Sequence, residues 1–169
     1  MASFLTAEQK QLAEEIGKLL TERGETVTVA ESTAGGLISA ALLSVPGASR
    51  YFAGGAVVYT LDSRVALAGV STESVANYQG TTPEMLLDMA ASLRQRLAAT
   101  WCIAESGLAG PGPGRTGRPP GRAVIGVSGP VSRSDVIETG LADREQNMVR
   151  FTIGALVLLR DALVEVGNK

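Results

Sequence analysis

Apolar residues recur at Leu12, Ile16, Leu19 and Leu20, the i, i+4, i+7, i+8 spacing that lines one buried face of an α-helix. Thr6 is placed to cap that helix, the pattern carries it to about Arg23, and Gly24 ends it. The β-branched run from Thr26 to Ala30 predicts a buried strand, and Gly36 to Val45 predicts a helix packed by small residues. Pro46-Gly47 breaks it, and Ala53 to Tyr59 predicts a second strand. Thr82-Pro83-Glu84 combines a cap, a first-turn proline and a first-turn carboxylate. Met85, Leu86, Met89, Leu93 and Leu97 follow at helical spacing, so a long helix is expected to about Ala99. Trp101 to Ala104 predicts a third strand entering a glycine turn. Ala123 to Ser128 and Ser134 to Glu138 predict a hairpin around Pro130. A final helix begins near Asp143, with Met148, Phe151, Leu156, Leu159 and Leu163 on its apolar face and Ile153 and Val157 widening it.

Helices alternate with strands and later flank a hairpin, so the expected fold class is α/β: a three-layer α/β/α arrangement with a mixed sheet, forming a single domain over residues 1–169. The biased segment is Gly107 to Arg122, with six glycines, four prolines and three arginines, a length of loop that is usually functional or disordered. The final helix is apolar around much of its circumference, at Ile153, Leu156, Val157, Leu158, Leu159 and Leu163, which predicts a homo-oligomer.

Composition narrows the chemistry. Hydrophobic residues make up 45% of the 169 and charged residues 19%, which excludes a solvated disordered chain, and no apolar run approaches the roughly 18 residues of a membrane-spanning helix. Fifteen basic against seventeen acidic residues leave a net charge of −2, so no global field draws nucleic acid, and an anionic ligand must be held locally. The expected partner is a small molecule, with neither nucleic acid nor membrane. One cysteine, Cys102, forms no internal disulfide, and the amino terminus lacks the pattern of a secretion signal, so a cytoplasmic location is expected. Nothing is cationic beside Cys102 in sequence, so it reads as a small core residue of its strand. Trp101 and Phe151 read as core or interface residues, and Glu14, Glu15, Lys18, Glu22 and Arg23 as a solvated helix face. There is no histidine, which removes a Ser-His-Asp triad, a histidine metal site and a histidine general base together.

Four segments then carry the candidate chemistry. Ala30 to Gly36, between a strand and a helix, either caps that helix through Ser32 or Thr33 with its glycines allowing close packing, or presents a hydroxyl beside free backbone N–H groups. Glu105 to Pro111 either forms an ordinary turn or builds the opposite wall of one cleft. Tyr59 to Arg64 offers a phenol, a carboxylate and a guanidinium, or is a solvated turn with Asp62 capping the next helix. Asp143-Arg144 either caps the last helix or places a guanidinium for a phosphate. Arg115, Arg118 and Arg122 form a local basic run that is either solubilising or able to help neutralise an anion.

In this order the segments AESTAGG (Ala30 to Gly36), PGAS (Pro46 to Ser49), YTLDSR (Tyr59 to Arg64), SGLAGP (Ser106 to Pro111) and ADR (Ala142 to Arg144) resemble the CinA C-terminal domain family. The likeness covers about residues 6 to 165. Active members are nicotinamide-mononucleotide deamidases. The resemblance implies hydrolysis of a carboxamide to the acid and ammonia without metal or cofactor, a serine acting as nucleophile and a lysine as its base. It places Ser32 at the serine and Tyr59, Ser106 and Arg144 on the pocket wall. The catalytic set is then Ser32, Tyr59 and Arg64; the substrate-binding set is Glu31, Thr33, Gly35, Gly36, Ser106, Gly107, Gly110 and Arg144, with amides near Gly35 and Gly36 as oxyanion donors. Asp62 or Glu31 through a water, or Tyr59, would relay the proton. Arg64 stands where the family has its lysine, and the chain's lysines are Lys10, Lys18 and Lys169. Thr33-Ala34 replaces Cys-Thr, and Leu61 replaces a polar asparagine. The resemblance also implies two rivals: a catalytically silent nucleotide-binding or regulatory member, and a hydrolase of another amide.

Overall fold

The first helix, α1 (Ala7–Arg23), begins where Thr6 accepts a hydrogen bond from the Gln9 amide while the Gln9 side chain accepts one from the Thr6 amide. Gly24 ends it in the left-handed region that glycine enters without a Cβ clash. The computed structural model, which describes residues 1–169, continues with β1 (Val27–Glu31), α2 (Leu37–Leu43), a 3₁₀ turn at Ala48–Arg50 and β2 (Phe52–Val57). Next come α3 (Leu61–Ala66), α4 (Thr72–Ala76), α5 (Pro83–Arg96), β3 (Trp101–Leu108), β4 (Arg122–Ser128), β5 (Arg133–Glu138) and α6 (Arg144–Gly167). The strands form one sheet in the order β2-β1-β3-β4-β5. β1 pairs in parallel with β2 and β3, whereas β3–β4 and β4–β5 are antiparallel, so the sheet is mixed.

Side chains alternate across a strand, and this parity sorts the core into two layers. Val27, Val29, Trp101, Ile103, Ile125 and Val127 pack with α1, α2 and α6, whereas Ala30, Cys102, Ala104 and Val124 face Leu86, Met89, Ala90 and Leu93 of α5. Helices thus cover both faces, giving the three-layer α/β/α domain. Trp101, Cys102 and Phe151 are core residues. Burial pushes the Cys102 thiol up to about 12. Glu14, Lys18 and Glu22 are exposed on α1, with Glu15 and Arg23 half-buried.

The same parity continues to the strand ends. Glu31 and Glu105 lie opposite each other in the β1–β3 register and share the parity of Val29 and Ile103, toward the α1/α2/α6 layer. Ser106 shares the parity of Ala104, toward the α5 layer.

Several expectations need correction. β3 runs four residues past Ala104, because Glu105, Ser106, Gly107 and Leu108 pair with Ile125, Val124, Ala123 and Arg122. The second glycine segment is therefore largely strand. The connecting loop shrinks to 109–121 and carries its own turn, with the Gly114 amide donating to Arg118 and the Gly117 amide to Gly114. Thr60, not Asp62, caps α3, in reciprocal bonds with Ser63. Helix α4, capped by Ser71, has no counterpart in the expected pattern. On α6, Ile153, Val157 and Leu158 pack against the main core, so much of the apolar circumference that suggested an oligomer is used within the chain.

Candidate active site

The turn after β1 brings two acids under one serine. Neither Ser32 nor Thr33 caps α2; Glu31 does. Its Oε1 accepts from the Gly36 and Ile38 amides at 2.8 and 3.1 Å, and its Oε2 from the Ser39 amide and hydroxyl at 2.9 and 2.7 Å. A carboxylate satisfies the open amides of a helix start better than a hydroxyl does, because the helix dipole adds to its charge-assisted bonds. Glu105 holds the other side of the turn, its Oε2 accepting from the Ser32 and Ala34 amides at 3.1 and 2.9 Å. Oε1 of Glu105 is buried without a partner. Burial above all raises its carboxyl to about 7; the Ala34 and Ser32 amides oppose the rise, Glu31 adds to it and Arg64 opposes it.

These bonds relocate two expected functions. Gly36 donates its amide to Glu31 and Gly35 to the Ser32 carbonyl, so neither is a free oxyanion donor. Within the turn, the Thr33 N–H is the amide without an acceptor. Gly35 serves packing instead: at φ +67° any Cβ would stand 2.9 Å from Met148 Cε of α6. Glu31, fully buried and saturated, faces away from the cavity and is not available as a relay.

Opposite the turn lies a cavity of about 520 Å³ whose wall includes Ser32, Thr33, Tyr59, Asp62, Arg64, Ser106 and Gly107. The protein hydrogen bonds of Ser32 all run through its main chain, leaving its hydroxyl to the cavity. Thr33 Oγ1 donates to the Gly107 carbonyl at 2.9 Å and accepts from the Gly107 amide at 2.8 Å, a two-way clasp between the β1 turn and β3. Only glycine fits there, since a Cβ would be 2.5 Å from the Arg122 carbonyl oxygen.

Arg64, 5% exposed, is carried inward by α3. Its Nη2 donates to Ser106 Oγ at 2.7 Å and its Nε to the Val58 carbonyl at 3.5 Å, and the guanidinium lies 5.8 Å from the centre of the Tyr78 ring. Thr81 joins the two, its hydroxyl 3.2 Å from Ser106 Oγ and 2.8 Å from the Tyr78 hydroxyl. No carboxylate pairs with it: the chain's ion pairs involve Lys18, Arg133, Arg160 and Lys169. A buried cation outside any direct ion pair is costly unless hydrogen-bonded or completed by a ligand.

Arg115, Arg118 and Arg122 line the same cavity, so the basic run is directed at the site and not merely solvated. Arg144, exposed at the first turn of α6, lies outside the lining but braces it. Its Nη1 donates to the Gly110 carbonyl at 2.7 Å and its Nη2 to the Tyr59 hydroxyl at 3.3 Å. Asp143 caps α6 by accepting from the Gln146 amide. The structure therefore brings together Ser32, Thr33, Tyr59, Arg64, Ser106 and Gly107, keeps Arg144 and Gly110 at the margin, and turns Glu31, Gly35 and Gly36 to structural work. Tyr78 and Thr81 complete the site without having been singled out, as does Glu105, which opens the second candidate segment but was given no role of its own. Only the strand parity that points Glu105 at the β1 turn, which requires knowing where β3 ends, could have marked it. No group of three or more His, Cys, Asp or Glu side chains is arranged to hold a metal, and no helix is long and apolar enough to cross a membrane.

A cleft at the carboxyl ends of β1 and β3, walled by a serine turn and a cationic loop, lies where open α/β sheets commonly place their ligand sites. Residues 9–163 match the model of the CinA C-terminal domain. The chain belongs to that family. It is 44% identical over 124 residues to a CinA-like protein of Prochlorococcus marinus (strain MIT 9313), covering 73% of this chain and 29% of that one. It is 33% identical over 166 residues to a CinA-like protein of Desulforapulum autotrophicum, covering 97% and 39%. The chain thus spans about a third of the length of these relatives. Among solved structures it superposes on the competence/damage inducible protein CihA from Agrobacterium tumefaciens with a TM-score of 0.88 at 29% identity, over 96% of this chain and 99% of that one.

Proposed function

We propose that the chain is an amidohydrolase of the nicotinamide-mononucleotide deamidase type, converting the carboxamide of a pyridine mononucleotide or a related amide to the acid and ammonia. The observation that carries this reading is the Ser32 hydroxyl, free of protein partners and facing the same cavity as the guanidinium of Arg64, which is in no ion pair. Ser32 Oγ attacks the carboxamide carbon. Arg64, oriented by Ser106, receives the carbonyl oxygen as it gains charge, with the Thr33 N–H as the turn's remaining donor. Asp62, the carboxylate on the cavity wall, accepts the Ser32 proton through a water, with Tyr59 as the alternative carrier. The proton passes to the departing ammonia, and water then hydrolyses the acyl-serine. The loop arginines hold the phosphate, and Arg144 keeps Tyr59 and Gly110 in place. A cytoplasmic location and a homo-oligomer accompany the reading; light scattering that gives a monomer at micromolar concentration overturns the latter. Ammonia release from nicotinamide mononucleotide by the full chain tests the hydrolysis, and turnover no greater than that of Ser32→Ala defeats it.

One observation favours a second reading. A guanidinium stays protonated in proteins and does not act as a neutral base, and the loss of a general base costs on the order of 10² to 10⁴ in rate. A nucleotide-binding member of the family without hydrolysis follows if ligand binds and no product forms. In that case Arg64→Lys restores measurable turnover.

A further inference from the structure

Charge on the cavity wall is unlike charge on the chain as a whole. Arg64, Arg115, Arg118 and Arg122 line it against one carboxylate, Asp62, an excess of three positive charges within a molecule of net charge −2. None of the four arginines is in an ion pair. They also differ in depth. Arg64 is 5% exposed and held by Ser106, Arg122 is half-buried, and Arg115 and Arg118 are exposed on the loop. The cavity therefore offers one fixed cation at its floor and a cationic cluster at its rim.

The two ends read different features. Rim arginines in solvent attract a phosphate through charge that salt screens. The floor guanidinium carries only donors, with its Nη1 and part of its Nη2 unused, and it matches the two acceptor oxygens of a carboxylate. A carboxamide at the same place offers one acceptor and turns an NH₂ toward donors.

We propose that the cavity selects ligands with an anionic group at each end, a phosphate at the rim and a carboxylate at the Arg64 floor, over the corresponding carboxamide. This rests on the pyridine-nucleotide reading above for the ligand's frame. It makes the acid the tighter ligand, so that any hydrolysis at this site is restrained by its own product.

Isothermal titration calorimetry of the full chain with nicotinate mononucleotide and nicotinamide mononucleotide tests the proposal, because the two probes differ only in that group. The acid is expected to bind at least about tenfold more tightly. Arg64→Met is expected to bring the ratio near one. The double variant Arg115→Gln/Arg118→Gln is expected to weaken both ligands together and leave the ratio intact, and added salt does the same, since the floor is shielded from solvent ions. Equal affinities, preference for the amide, or an acid preference that survives in folded Arg64→Met overturn the proposal. Where Arg64→Met does not fold, the wild-type ratio and its constancy with salt decide. The outcome is separable from that of the ammonia assay: turnover without acid preference defeats this inference alone, and acid preference without turnover defeats hydrolysis alone.

Discussion

Replacing Glu105 by glutamine isolates the energetic role of the acid beneath the Ser32 turn. Burial raises the Glu105 carboxyl from its ordinary 4.5 to about 7, so the folded state holds this proton more tightly than the unfolded chain does. The stability associated with the proton is complete below pH 4.5 and is lost as pH rises through about 7. At about 1.36 kcal/mol per pH unit, the interval is worth about 3 kcal/mol, a large part of a domain's total stability. Glutamine is the neutral isostere: its oxygen can still accept from Ser32 and Ala34, and it has no charge to desolvate. Urea unfolding followed by circular dichroism, at several pH values from about 4.5 to 8, is the assay. Relative to wild type, Glu105→Gln is expected to gain about 3 kcal/mol across that range, with the two curves parallel below it. Glu165, held low by Arg133, titrates beneath this window and leaves the difference unaffected. Parallel curves throughout, or a variant that loses ground as pH rises, refute the assignment of a buried, proton-retaining Glu105.

Other substitutions probe the frame of the same site. Glu31→Ala strips α2 of its cap and leaves the Gly36, Ile38 and Ser39 amides without their acceptor, at an expected cost of about 3 kcal/mol or more by urea unfolding. Thr33→Val breaks the two-way clasp to Gly107 and is expected to cost about 1–3 kcal/mol, read from the denaturation midpoint with an unchanged slope. Gly107→Ala places a methyl against the Arg122 carbonyl, so the thermal transition should fall further than in Gly140→Ala, where nothing lies within 4 Å and only the φ of +69° is strained. Ser106→Ala removes the acceptor that orients Arg64 and should weaken binding of an acid ligand by calorimetry while changing the stability by no more than about 1–2 kcal/mol.

Local signals in the chain spoke for local events. The caps at Thr6 and Thr82, the stop at Gly24 and the apolar periodicity of α1, α5 and α6 were all legible, since each depends on residues within a turn or two. The serine turn between strand and helix was legible too, and with it Ser32, Thr33 and Ser106 as neighbours of one cleft. What escaped depends on pairing between distant residues. The extension of β3 through Leu108 follows from its ladder with β4, and only that ladder aims Arg122 at the cavity. Gly36 looked like an amide open to a ligand because nothing in its immediate surroundings says that Glu31, five residues earlier, bends back to occupy it. Tyr78 and Thr81 reach the site because the α4–α5 connection folds across the ends of the strands, a path that no periodicity encodes.

The sign of the charge reverses between envelope and hollow. Past the Debye length of about 8–10 Å an approaching ion feels a mildly acidic body. Within that distance the cavity wall presents four arginines against one carboxylate. The local field at the cavity is thus a property of where the arginines are placed, and the net charge of the chain does not report it.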